Sequence, residues 1–428
     1  MKWRESAREL DTSARCEVLV AGGGIAGIAA ALAAARGGAK VLLVEKEWML
    51  GGLATAGLIT IYLPLCDGNG RQVVFGIGEE LLRLSIRYGA EEEHFPLPAP
   101  WLSGRSPDAK REMRYQVQYH PYLFALCAEA LLQEAGVEIL YGTSICSVIM
   151  EGRQIRAAVI ENKSGRSAIA LNAVVDATGD ADVCLLSGAP THPFGPGNAL
   201  ASWHYFYSQG QVQLRMAGAA DIVTGAGANA DEEREGFSAG ERVLLRGRRF
   251  TGLDGRELSE MMQFSHKALL ACVDSERKVR ADYVPVSIPV IPQVRMTRRV
   301  QGEYTQDDSE TFVRHGDSIG LTGNWRKAGP VYELPYRTLY SKAVGNLICA
   351  GRCISVTDAM WDITRVIPPC AVTGQAAGTA SALAVKNHGA GAAANVDFSQ
   401  VDVKLLQLQL AKDGVLLHTD EIDLWNKP

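Results

Sequence analysis

Gly22-Gly23-Gly24-Ile25-Ala26-Gly27 sets three glycines at the spacing G-x-G-x-x-G, which lets a backbone fold tightly around a pyrophosphate. Gly22 permits the turn, Gly24 lets the chain approach a pyrophosphate lying on a helix N-terminus, and Gly27 lets that helix sit close on its strand. Ile25 and Ala26 then supply the first helical amides. Glu45 follows eighteen residues after Gly27, placed to accept hydrogen bonds from both ribose hydroxyls of an adenosine. Lys46 beside it reads either as a partner for a 2′-phosphate or as a solvated charge. A second glycine pair, Gly51-Gly52, lies within Trp48-Met49-Leu50-Gly51-Gly52-Leu53-Ala54-Thr55. A nicotinamide dehydrogenase has no need of close approach there, whereas a flavin with its ribityl chain does, so 51–55 are expected to touch the cofactor.

A flavin accepts a hydride, so the protein must hold the donor carbon and take a proton from the atom attached to it. Residues 354–366 read as a loop carrying Asp358, Trp361, Asp362 and Arg365. Arg365 is expected to anchor a substrate carboxylate or stabilise charge, with Asp358 and Asp362 as acid/base groups. For each aspartate a helix cap or turn former is the competing reading. Arg295, Arg298 and Arg299 alternate with apolar residues as on a strand, and either bind an anion from a shared face or make surface salt bridges. His120, His192 and His204 lie in segments able to approach the ring, but isolated histidines are commonly structural.

The elements that must position these residues can be read from periodicity. Residues 16–21 form a short β-branched run, an alanine-rich helix reaches about residue 36, and 39–45 is a second strand, completing a βαβ unit. An amphipathic helix is predicted over 121–135, followed by strands at 137–140, 145–150, 155–160 and 168–171 in a small antiparallel meander. The run 173–175 leads into Asp176-Ala177-Thr178-Gly179-Asp180, a strand ending in a turn. Periodicity weakens between about 190 and 335, with a loose loop at 217–229. A strand at 346–350 and a small-residue helix at 368–386 restore nucleotide-domain character, and a short helix is predicted near 401–410. The predicted fold class is α/β: a Rossmann-like domain with a parallel sheet and the meander, interrupted by a second, α+β substrate domain. The boundaries read as 1–75, 115–190 and 336–395 for the first unit, 76–114 and 191–335 for the substrate or cap unit, and 396–428 for a tail. A chain of 428 residues exceeds the size of one hydrophobic core, in keeping with two units.

Composition narrows the function. The 43 basic and 48 acidic residues give a net charge of −5, which suggests no nucleic-acid partner. Nine scattered cysteines without a C-x-x-C pair argue against a zinc knuckle or a secreted disulfide framework, and no metal site is expected. Residues 18–35 are nearly uncharged, but glycine and alanine dominate where a membrane span would use larger apolar residues. No membrane partner and a cytoplasmic location are therefore expected. The expected partners are a small-molecule substrate and an electron acceptor of unknown kind, with homo-oligomerisation left open.

Four parts of the chain together resemble the large FAD-dependent oxidoreductase family, related more distantly to fumarate reductase flavoprotein subunits and other two-domain flavoproteins. They are the glycine fingerprint with its Gly51-Gly52 extension, the segment from Gly136 through Asp176-Ala177-Thr178-Gly179-Asp180, the stretch Arg295-Met296-Thr297-Arg298-Arg299-Val300-Gln301-Gly302-Glu303-Tyr304, and residues 346–380. The resemblance implies FAD as cofactor. It places Ser144 and Ile145 beside the adenine, Ala177, Thr178 and Gly179 near the nucleotide, and Gly351 and Arg352 over the ribityl and pyrophosphate. Pro368 and Pro369 preset a helix start after Arg365, and Gly374, Gln375 and Gly378 give that helix a small-residue character suited to close approach. Its positive N-terminus would face the flavin's N1 and O2 edge. The family pattern carries histidines where Asp358 and Trp361 stand here, which speaks against a histidine-based mechanism. The expected activity is hydride transfer from a small organic substrate, anionic in character, to FAD, as a dehydrogenase or oxidase. A flavin monooxygenase or halogenase and a non-catalytic FAD-binding module are the alternatives. Cys349, Cys353 and His192 are the conceivable points for covalent attachment.

Overall fold

The computed structural model describes residues 3, 7–63, 65–88, 117–217, 248–388 and 395–425. A short strand Thr12–Arg15 (β1) leads to Val18–Ala21 (β2), whose four residues are all buried. Helix Ile25–Arg36 (α1) and strand Val41–Val44 (β3) complete the βαβ unit. Ten of the twelve α1 residues are buried. A helix apolar on every side needs cover from more than its own sheet. Strand Ile61–Tyr62 (β4), helix Ile77–Ser85 (α2), strand Val117–Gln118 (β5) and helix Pro121–Glu134 (α3) follow, then strands Glu138–Leu140 (β6), Ser144–Glu151 (β7), Gln154–Asn162 (β8), Gly165–Ala170 (β9) and Ala173–Asp176 (β10).

The central sheet is wholly parallel, with β10, β2, β3 and β6 joined by Leu347–Cys349 from far along the chain. The chain moves outward from β2 through β3 to β6, then returns to the other side of β2 for β10. That reversal puts the switch point of the sheet between β2 and β10, where crevices open beyond the strands' C-terminal ends in α/β folds. The meander β7, β8 and β9 is antiparallel. Two points differ from the sequence reading: β6 belongs to the central sheet, and β1 pairs in parallel with β9 as an extra strand of the meander.

Beyond β10 come helix Asp182–Leu186 (α4), strands Thr191–Pro193 (β11), Trp203–Ser208 (β12) and Gln211–Met216 (β13), and a helix of 23 residues, Gly255–Arg277 (α5). Asp254 caps α5 by accepting from the amides of Arg256 and Glu257, both at 2.9 Å. Strand Val284–Ser287 (β14) joins β12 and β13 in an antiparallel sheet, and Arg298–Val300 (β15) pairs with β11. The predicted loop at 217–229 lies outside the described residues, apart from Ala217.

Strands Ser318–Gly323 (β16) and Val331–Pro335 (β17) form a hairpin. The strand Leu347–Cys349 (β18) precedes helix Asp358–Thr364 (α6) and the long helix Ile367–His388 (α7). Residues 354–366, read as a loop, therefore contain a helix; Thr357 caps it by accepting from the Met360 amide. Helices Val403–Lys412 (α8) and Ile422–Trp425 (α9) end the described chain. Helix α7 supplies the cover that α1 lacks. A β-carbon on Gly374 would stand 2.3 Å from the Ala26 carbonyl oxygen, and one on Gly378 would stand 2.1 Å from that of Ala30. Helix α2 packs on α3 and α7, and β16 packs on α7, so parts of the segments expected in the substrate unit lie against the nucleotide unit. Among the described residues no helix is long and apolar enough to cross a membrane.

Candidate functional site

A cavity of about 680 Å³ opens along the C-terminal edge of the parallel sheet. Its walls include Glu45, which follows β3, and Gly351, two residues beyond β18. These strands are three spacings apart in the sheet, roughly 14 Å at about 4.8 Å per strand. That span and volume suit a dinucleotide, and pockets of 300–1,000 Å³ are the usual size for cofactors.

At the centre lie Gly22, Gly24, Ile25 and Ala26. Gly22 has φ +99°, and a β-carbon there would meet the Ala177 carbonyl oxygen at 2.6 Å. Gly24 caps α1 without any side-chain hydrogen bond, leaving the first helical amides available to an anion. A β-carbon on Gly24 would meet nothing within 4 Å, so this turn is a cradle with room in front of it. Gly27 is outside the walls: its β-carbon would strike the Gly22 carbonyl oxygen at 1.8 Å, the close strand-on-helix contact expected of it.

Glu45 is buried at the β3 end. Its carboxylate accepts from the Gly23 amide at 2.6 Å and the Glu47 amide at 2.9 Å. Burial pushes its pKa above the ordinary carboxylate range, and these two amides oppose the shift. Thus Glu45 braces the glycine turn while lining the cavity. Lys46 is exposed at the rim, and Ser144 and Ile145 of β7 complete this wall. We predict that Glu45→Ala weakens FAD binding by at least about tenfold, since two hydrogen bonds to a charged group are each worth about 1.5–3 kcal/mol. A fluorescence titration of the apoprotein with FAD measures this, and an unchanged dissociation constant would refute it.

The second glycine pair folds back on the first. Gly51 donates its amide to the Gly23 carbonyl at 2.7 Å and bridges Gly24, with φ +101°. Gly51, Gly52, Leu53 and Ala54 line the cavity. Thr55 does not; it is buried with its hydroxyl donated to the Leu50 carbonyl at 2.5 Å, holding this turn shut.

Across the switch point, Ala177, Thr178, Gly179 and Asp180 form the opposite wall. Arg352 donates to the Val294 carbonyl, to the Arg295 carbonyl at 3.0 Å and to Asp180 at 3.3 Å. Its guanidinium is thereby fixed beside Gly179 at the cavity. The N-terminus of α7 presents Ile367 and Cys370 there. Burial pushes the Cys370 thiol up to about 12, so it stays protonated. Pro369, Gly374 and Gln375 are not in the walls. Gln375 accepts from the Ile77 amide at 2.8 Å, tying α7 to α2, and Gly374 serves the α1 contact instead.

The remaining walls are mainly apolar: Ile59, Ile61, Trp203, Met216, Leu258 and Val366 among them. Into this region project Arg365 and, from the tip of the β16–β17 hairpin, Trp325 and Arg326. Asp362 organises all three without lining the cavity. Its carboxylate pairs with Arg326 and, at 2.7 Å, with Arg365, while its backbone carbonyl accepts from Trp325 Nε1 at 2.8 Å. Arg326 also lies over the Trp325 ring at 4.1 Å. Burial alone would raise the Asp362 pKa, but the two guanidiniums outweigh it and hold it below the ordinary carboxylate range.

Several expectations are revised by this placement. Asp362 is clamped by two arginines and lies outside the cavity walls, as does Asp358, which pairs with Arg299 at 2.7 Å. Arg295, Arg298 and Arg299 do not share an anion site: Arg295 lines the cavity, Arg298 pairs with Asp182 at 2.7 Å, and Arg299 stacks over Trp361 at 4.7 Å. His120 caps α3, and buried His204 bonds to the Tyr283 hydroxyl. Among the described residues no histidine lines the cavity, and neither do Cys349 and Cys353. Trp325, Arg326 and Asp180 were not singled out from sequence; Asn324-Trp325-Arg326 following a strand was the only available signal.

A glycine cradle at the switch point, an uncapped helix start and a buried acid after the second strand define a dinucleotide-binding α/β protein. The chain belongs to the FAD dependent oxidoreductase family, whose pattern matches residues 17–201 and 234–410. FAD is its cofactor, and the cradle, the second glycine turn and the fixed Arg352 fit it. No curated protein sequence matches the chain. Similar solved structures include a geranylgeranyl bacteriochlorophyll reductase-like protein of Thermoplasma acidophilum, 14% identical, covering 94% of this chain and 84% of that one with a TM-score of 0.46. The p-nitrophenol 4-monooxygenase of Pseudomonas putida DLL-E4 is 12% identical over 94% of this chain and 89% of its own, with a TM-score of 0.40. The 3-ketosteroid-delta4-(5alpha)-dehydrogenase of Rhodococcus jostii RHA1 is 14% identical over 87% and 98%, with a TM-score of 0.39.

Proposed function

We propose that this flavoprotein is a dehydrogenase or oxidase that takes a hydride from a small anionic organic substrate with an apolar body. One observation carries the reading: Arg326 and Arg365 share the single carboxylate of Asp362 where the cavity wall is otherwise largely apolar. Two guanidiniums held by one carboxylate present their donors at the cavity wall, where a substrate carboxylate would be favoured. Bound FAD supplies the hydride acceptor. Asp362 and the Trp325 ring hold Arg326 in position, so that little ordering is left to be done on binding. The N-terminus of α7 adds a partial positive charge on the same side. Ile59, Ile61, Trp203 and Met216 exclude water from the body of the substrate.

The test is anaerobic mixing of the FAD-loaded protein with small apolar carboxylates and with their neutral amides, following loss of the flavin colour. Carboxylates should reduce the flavin, and Arg365→Met should raise KM roughly ten- to hundredfold for them, the equivalent of one charge-assisted hydrogen bond. Equal reduction by the neutral amides, or an Arg365→Met variant with unchanged KM, would remove the anionic part of the reading. Reduction by no donor, with an oxygenated or halogenated product formed once the flavin is reduced by other means, would favour the monooxygenase or halogenase alternative.

A further inference from the structure

Cys184 and Cys349, 165 residues apart, converge on one buried carboxylate, with Cys353 nearby. Asp176 ends β10 and Cys349 ends β18, paired with each other in the strand register, and Cys184 lies on α4. The ligating atoms of these three residues all lie within 4.8 Å of one another, and the two sulfurs are 3.2 Å apart. Cys353 Sγ stands 3.9 Å from Asp176 Oδ1. All four side chains are buried, and none lines the FAD cavity.

We propose that Asp176, Cys184 and Cys349 bind one zinc ion. Two thiolates and a carboxylate oxygen are a three-residue donor set of mixed softness, which suits zinc among the common divalent ions. The carboxylate has capacity left: among the described residues Oδ1 accepts from the Thr178 amide and hydroxyl, and Oδ2 from the Cys184 amide at 3.0 Å. That amide contact also orients the carboxylate toward the sulfurs. Charge balances in the exchange. Zinc enters with two positive charges, the S–H bonds of Cys184 and Cys349 break, their two protons leave to solvent, and two zinc–sulfur bonds form. The net charge of the buried cluster is therefore the same before and after, which avoids the large cost of adding charge to a dry interior. A disulfide between Cys184 and Cys349 would instead need an oxidant.

The FAD-loaded protein, reduced with a thiol reagent under anaerobic conditions, is incubated with zinc, freed of unbound metal and analysed for zinc and intact mass. About one zinc per chain is expected, falling at least about tenfold in a Cys184→Ser/Cys349→Ser variant that still carries FAD as evidence of folding. Cobalt loading of the unaltered protein gives an independent readout should that variant not fold: thiolate-bound tetrahedral cobalt absorbs in the red, beyond the flavin bands. No zinc uptake and no red absorption, zinc retained by the double variant, or an unreduced chain lighter by two hydrogen atoms because these two cysteines are joined, would each overturn the proposal.

Discussion

Asp362→Asn is expected to cost about 3 kcal/mol of stability at neutral pH, because it leaves two guanidiniums facing a neutral amide at a buried position. The exchange conserves shape, so no cavity confuses the result. The pH dependence is a second signature. Burial raises and the arginines more strongly lower the Asp362 pKa in the folded protein, and the net displacement is downward. A carboxyl with a depressed folded value contributes stability that is fully present above its unfolded value of about 3.9 and is lost as pH falls through the lower folded value. The unaltered protein should therefore lose stability relative to the variant as the medium is acidified through that window, and the two should converge at its acid end. Urea unfolding at neutral pH and along an acid series measures both effects. A difference below about 0.5 kcal/mol at neutral pH, the range of ordinary surface exchanges, would mean that the Trp325–Arg326 tip is held by something else.

Gly374→Val is expected to strip the protein of FAD although residue 374 does not line the cavity. The added β-carbon would have to occupy space 2.3 Å from the Ala26 carbonyl, and the obstacle is backbone, which cannot rotate aside. Helix α1 must shift, and its first turn, Ile25 and Ala26, is the wall against which a pyrophosphate would lie. Overpacking of this kind typically costs about 1–3 kcal/mol of stability. The effect on the cofactor should exceed the effect on folding: retained FAD should fall about tenfold or more, in a protein whose circular dichroism is unchanged. Full FAD occupancy in the variant would show that the α1–α7 contact does not set the position of the cradle.

How far the sequence could be read depended on how local each determinant was. Gly22 to Gly27, Glu45 and Gly51-Gly52 lie within one continuous stretch, and their backbone requirements are written in the residue types themselves. Helices with continuous apolar stripes were equally visible. By contrast α5 was missed because its buried side is narrow, Met261, Ser265, Ala268, Leu269 and Cys272, among many charges. β6 was assigned to the meander because three residues carry no mark of the strand they will pair with. The arginines illustrate the limit most clearly. Residue type announced that Arg365 was worth watching, but its sharing of Asp362 with Arg326 depends on a hairpin tip 36 residues before that aspartate. For the same reason Asp362 read as an acid/base candidate with no sign of its two arginine partners. The cysteines, sorted by spacing alone, gave no hint that Cys184 and Cys349 meet.

The pairing of α1 with α7 also has a consequence for how the chain must be made. Helix α1 ends at Arg36 and α7 begins at Ile367, so roughly 330 residues of translation separate them, on the order of 20–60 s at usual elongation rates. For that interval a helix apolar on all sides, and a sheet lacking its β18 edge, stand partly uncovered on the ribosome. The nascent chain is thus a natural client for chaperones that hold exposed apolar segments, and a slower passage through the last third of the message should lower the soluble yield.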